Sequence, residues 1–142
     1  MIKERYCSFE ISKLLREKGF DAQCRAAYTN YGKLFTTQIQ QYITNTICSI
    51  SSIWECVAPT HQMAIDFLRE VYGIFIQIER DNQYYQGREV VPMSKHDIER
   101  GHTPEYYATI YDAKSKSYVT EHFNGYGECV DSAIKYGLTK LI

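Results

Sequence analysis

Apolar residues along the chain fall at helical spacing in three places and at strand spacing in several others. In the first helical stretch, Phe9, Ile11, Leu14 and Leu15 share one side. Ser8 supplies an N-cap hydroxyl, and Gly19 stands where a left-handed residue closes a helix, so that Phe20 can fold back on Leu15. The second stretch is clearer. Ala58-Pro59-Thr60 gives a non-helical lead-in and a hydroxyl cap, because proline disfavours helical geometry in the residue before it. Ala64, Phe67, Leu68 and Val71 then recur one helical turn apart, and Gly73 ends the run. Directly after it, Ile74, Ile76 and Ile78 alternate with Phe75, Gln77 and Glu79, the period of a strand. A third helix closes the chain, with Val130, Ala133, Ile134, Gly137, Leu138 and Leu141 on one stripe and Asp131, Lys135 and Lys140 away from it.

Two hairpins fill much of the rest. Residues 24–28 and 33–35 flank the turn-forming tetrad Thr29-Asn30-Tyr31-Gly32, and residues 106–111 and 117–120 flank Asp112 to Lys116. The expected fold is a single α+β domain over residues 1–142, in the order α-β-β-α-β-β-β-α. Its sheet is largely antiparallel, with helices packed on one face. Residues 36–53 read equally as a helix or a strand pair: Ile39, Ile43, Ile47 and Ile50 have helical spacing, but the residues between them are mostly Thr, Ser and Gln. Residues 80–104 hold two prolines, two glycines and a cluster of charges without periodicity, and read as a long loop.

Composition narrows the function classes. The chain has 142 residues, 16 Lys plus Arg against 17 Asp plus Glu, and net charge −1, which argues against a nucleic-acid binder held by bulk phosphate attraction. No stretch reaches the roughly 20 apolar residues of a membrane-spanning helix, so no membrane association is expected. The first residues lack the apolar core of a signal peptide, and five cysteines at 7, 24, 48, 56 and 129 contain no CxxC pair. Both features lead to an expectation of a cytoplasmic protein with reduced thiols.

Three blocks of sequence carry a resemblance. They are Leu14-Leu15-Arg16-Glu17-Lys18-Gly19-Phe20, then Ala58 to Glu70 with its isoleucine strand, and Phe123 to Ile142 with Tyr126, Glu128, Ala133, Ile134, Lys135, Leu138 and Leu141. Together, over about half the chain, these blocks resemble uncharacterised small proteins of tailed phages, prophages and mobile elements of gut anaerobic bacteria. The matching positions are mostly helix caps and core stripes, so the resemblance implies a fold and a phage-type origin in a host cytoplasm. It implies no activity and no site residue. Cys129 departs from the pattern, which has Ala there.

The residues themselves offer few catalytic constellations. Cys56 and His61 are five apart, and His96 and His102 six apart. Neither spacing puts two ligands on one helix face or tight turn, so no metal and no cofactor is predicted. Cys129, near the start of the last helix and seven residues after His122, is the one candidate nucleophile, opposed by the charge of Glu128 beside it. Asn124-Gly125-Tyr126-Gly127 leads into that helix as a G-x-G turn without the further glycine of a dinucleotide site. Tyrosine is over-used, at 13 residues, and falls in pairs at Tyr84-Tyr85 and Tyr106-Tyr107. On a strand, neighbours point to opposite faces, so one member of the second pair faces outward or lies under the following loop. The leading expectation is a non-enzymatic protein that binds another protein, or itself as a homodimer, with Tyr84, Tyr85, Arg88, Tyr106 and Tyr107 as contact residues. The alternative is a binder of nucleotides or single-stranded nucleic acid, using tyrosine stacking and loop arginines. A cysteine hydrolase is the remote third.

Overall fold

The computed structural model describes residues 5–37, 41–81, 83–86, 89–92 and 105–142. The elements in chain order are α1 (Phe9–Glu17), β1 (Ala26–Thr29), β2 (Leu34–Thr36), α2 (Asn45–Ser49), β3 (Trp54–Val57), α3 (His61–Tyr72), β4 (Phe75–Asp81), β5 (Gln83–Gln86), β6 (Glu89–Pro92), β7 (Glu105–Tyr111), β8 (Ser117–Val119) and α4 (Tyr126–Lys140). The fold is α+β. The described strands form three antiparallel sheets, ordered β2-β1-β3, β4-β7-β8 and β5-β6, where the sequence suggests one largely antiparallel sheet.

Helix ends follow the capping residues. The Ser8 hydroxyl accepts from the Ile11 amide, and the Thr60 hydroxyl accepts from the Met63 amide. At the end of α1, the Phe20 amide donates to the Leu15 carbonyl and the Gly19 amide to that of Arg16, the two bonds of a Schellman motif. Gly19 has φ +91°, which a side chain would make costly. Gly32 has both constraints at once: φ is +80°, and a Cβ there would lie 2.9 Å from the Phe9 ring. The β1–β2 turn is thereby fitted against α1.

The main core lies between α1, α3 and α4 and the inner face of β4-β7-β8, where Ile11, Leu15, Leu68, Ile74, Ile110, Ile134 and Leu138 are buried. α3 and α4 meet at Gly137, where a Cβ would lie 3.4 Å from Leu68. A smaller cluster of Ala26, Tyr28, Cys56 and Ala58 packs under Tyr6 and Phe9. Val71, placed on the apolar stripe of α3 by its spacing, is exposed, because the inward face of α3 runs through Ala64, Leu68 and Tyr72.

The two regions without a clear pattern hold real elements. In 36–53, Thr44 caps the short helix α2, and the strand β3 follows. The isoleucine spacing misleads because α2 presents Asn45 and Cys48 to the interior and leaves Ile47 exposed, with Ile50 just beyond its end more exposed still. In 80–104, β4 continues to Asp81 and the hairpin β5–β6 pairs Gln83–Gln86 with Glu89–Pro92, which replaces part of the expected loop.

Asn45 joins these parts. Its amide Nδ2 donates to the Phe20 carbonyl at 2.6 Å, and its Oδ1 accepts from the Val57 amide at 2.9 Å, both in buried surroundings. Asn45→Ala leaves two buried backbone groups unpaired, at roughly 1–3 kcal/mol each. Urea unfolding is expected to show a loss of about 2–4 kcal/mol. Thr46→Val, which removes only the exposed bond to Asp21, is expected to lose less than about 1 kcal/mol.

Candidate functional site

The residues just before α1 run antiparallel beside those just before α3. The Cys7 amide donates to the Pro59 carbonyl at 2.8 Å, and the His61 amide to the Arg5 carbonyl at 3.0 Å. Tyr6 and Thr60 form the bridge between these two bonds. Cys7 therefore sits one residue ahead of a capped helix, and His61 is the first residue of another. α4 crosses both and brings Asp131.

The outcome is a compact group of unlike donors. Cys7 Sγ, a ring nitrogen of His61 and a carboxylate oxygen of Asp131 all lie within 4.8 Å of one another. His61 Nε2 is 3.1 Å from Asp131 Oδ1, while His61 Nδ1 is buried without a hydrogen-bond partner among the described residues. Cys7 is fully buried, His61 is 8% exposed, and the Asp131 side chain keeps 29% of its surface. The Cys7 carbonyl accepts from the Tyr28 hydroxyl at 2.6 Å, which fixes the backbone carrying the thiol. Burial first, then the charge of Asp131, pushes the Cys7 thiol far above the ordinary range and holds it neutral. Separations of 54 and 70 residues hide this group from any spacing argument. The one local hint is that Cys7 and His61 each adjoin a hydroxyl helix cap.

The tyrosine pairs come out differently. Tyr106 lies on the core side of β7, edge-to-face with Tyr126 at 5.5 Å between ring centroids. Tyr107 lies on the opposite face, stacked on His122 at 5.1 Å, and its hydroxyl donates to Glu79. His122 Nδ1 in turn is 2.9 Å from Glu105. The structure thus puts Tyr106 and Tyr107 on two faces and surrounds the second with carboxylates. Tyr84 and Tyr85 lie on β5 in register with Val91 and Val90, outside the residues whose side chains are described. Arg88 lies outside the described residues altogether.

Cys129 is fully buried within α4, and burial raises its pKa, so the thiol is neither exposed nor activated. At the start of α4, the Glu128 side chain folds against Gly125, its Oε1 3.6 Å from where a Cβ would stand. A carboxylate of the chain itself thus covers the turn that an anion would approach.

Exposed apolar side chains concentrate elsewhere. Tyr31 is 98% exposed, Ile50 85% and Ile53 61%, and Leu34, Phe35 and Ile47 are exposed to lesser degrees. Phe35 packs edge-on against Trp54 at 6.0 Å, which ties β2 to β3 across β1. All three residues of β2 are exposed. The sequence signal for this surface is a deficit of charge: from Ala26 to Trp54 the chain carries one charged residue, Lys33.

No family model, no curated protein and no solved structure matches this chain. The phage resemblance therefore rests on its three sequence blocks alone.

The buried thiols set a pH dependence. Burial pushes Cys24 and Cys56 from the ordinary 9.0 up to about 12. A folded pKa above the unfolded one gives stability that is complete below the unfolded value and is lost as pH rises toward the folded one. The urea midpoint is expected to hold up to about pH 8 and to fall steadily between about pH 9 and 12. Cys56→Ala is expected to flatten that fall; an unchanged slope in the variant would assign it to other groups.

Proposed function

We propose that this protein works by binding another protein, and that it does so through the β2 edge and the uncharged surface around it, with a second copy as the partner. The observation that carries the reading is the conjunction of exposed apolar side chains with one charge in residues 26–54. Contiguous apolar surface on a folded chain marks interaction sites, and interface centres are depleted of charge.

The edge geometry supports strand addition. The Thr37 amide donates to Arg25 and the Thr29 amide to the Lys33 carbonyl, so the odd-numbered residues of β2 face β1. The backbone groups of Leu34 and Thr36 then point away from β1, toward an added strand. A two-fold pairing of β2 with its own copy, centred on Phe35, sets Leu34 opposite Thr36 and Lys33 opposite Thr37. No like charges meet, and the two Phe35 rings become neighbours.

The nucleotide or nucleic-acid reading finds less support. Glu79 and Glu105 border Tyr107 and its stacked His122, and their charge opposes phosphate. The phage-type origin remains part of the proposal through the resemblance of the three blocks, and would set the protein to work in a host cytoplasm.

Light scattering across a concentration series tests the reading. The expected result is a dimer that Phe35→Asp or Ile50→Asp converts to monomer without loss of helical circular dichroism. Wild-type protein that stays monomeric at every concentration would overturn the second copy as partner.

A further inference from the structure

From the Cys7, His61 and Asp131 group we infer that the protein holds a divalent transition cation of the zinc class at the crossing of α4 with the two helix starts. The donor set is one sulfur, one imidazole nitrogen and one carboxylate oxygen, the types that such cations take. Tetrahedral zinc places its donors roughly 3–4 Å apart, so donors already within 4.8 Å need only a small contraction.

The His61 ring is placed for such an ion. Its Nε2 lies 3.1 Å from Asp131 Oδ1, a separation that two donors on one ion can share. The ring is 8% exposed and its Nδ1 has no hydrogen-bond partner among the described residues, so the imidazole is held in place chiefly through Nε2.

Burial separates a cation site from a nucleophile. Cys7 has no exposed surface, so an organic substrate has no approach to the sulfur. A bare ion enters from the Asp131 side, where 29% of that side chain meets solvent, and solvent there would supply its further ligand. Binding releases the Cys7 proton to solvent, and the cation then offsets the buried thiolate charge. Segment 5–7, α3 and α4 come from distant parts of the chain, so the ion also pins three elements together.

The test uses the full chain, stripped with a chelator and titrated with Co²⁺ under reducing conditions. The expected result is one equivalent bound, with a thiolate-to-cobalt charge-transfer band and visible absorption of tetrahedral type, both displaced by Zn²⁺. Zn²⁺ alone is expected to raise the melting temperature. Cys7→Ser should abolish the charge-transfer band and Asp131→Asn should weaken binding by about ten-fold or more. Cys24→Ser and Cys129→Ala should keep the band, which assigns the sulfur even if one variant folds poorly. Absence of the band in wild-type protein, or its survival in a folded Cys7→Ser protein, would overturn the site. Rapid carboxymethylation of Cys7 at neutral pH in a protein that binds no Co²⁺ would also overturn it, in favour of a thiol activated by His61.

Discussion

The short antiparallel contact between Arg5-Tyr6-Cys7 and Pro59-Thr60-His61 is the constraint from which the rest of the structure hangs. Two backbone bonds of 2.8 and 3.0 Å hold the leads into α1 and α3 side by side. Both helices then start from the same place under their own hydroxyl caps. α4 can pack across them only in the space this leaves, and it does so with an all-apolar stripe and the small residue Gly137 at the closest approach. Without that contact α1 would be tied to the molecule mainly by side chains.

The same contact explains why a thiol, an imidazole and a carboxylate meet. Residues next to paired backbone have little freedom, so Cys7 and His61 are directed inward regardless of what they do there. Tyr28 adds to this by donating its hydroxyl to the Cys7 carbonyl. Asp131 is not among the buried residues of α4, yet its partly exposed carboxylate reaches the buried His61 ring. Its presence against a buried histidine is the part that packing does not require.

Much of the fold was legible because local chemistry and tertiary structure agree. Ser8, Thr60, Gly19 and Gly73 mark helix ends by mechanisms that operate within a few residues, and the alternation of Ile74, Ile76 and Ile78 needs one buried face. The illegible parts are those where the two disagree. In α2 the residues turned inward are Asn45 and Cys48, chosen for hydrogen bonds and size, while Ile47 is left outside. A periodicity argument takes isoleucine to be interior and so misreads the segment. The candidate cation site was hidden for a different reason: its three donors are brought together by topology, and spacing rules see only ligands within one turn or one helix. Of the tyrosine pair at 106 and 107, the strand alternation expected from the sequence holds, with Tyr106 packed toward the core and Tyr107 stacked on His122 and bonded to Glu79 on the other face.

Both proposed sites bear on one element, β1. On one edge β1 pairs with β2, Tyr28 in register with Leu34. Through its side chain, the same Tyr28 holds the carbonyl of Cys7. A strand added at β2 would stiffen β1 through main-chain bonds, and a cation at Cys7 would stiffen it through the Tyr28 hydroxyl. Two ligands that each reduce the motion of one shared strand each lower the ordering cost met by the other. Coupling of that kind needs no change of shape. β1 is the central strand of its sheet, bonded to β2 on one edge and β3 on the other, so both contacts reach it directly.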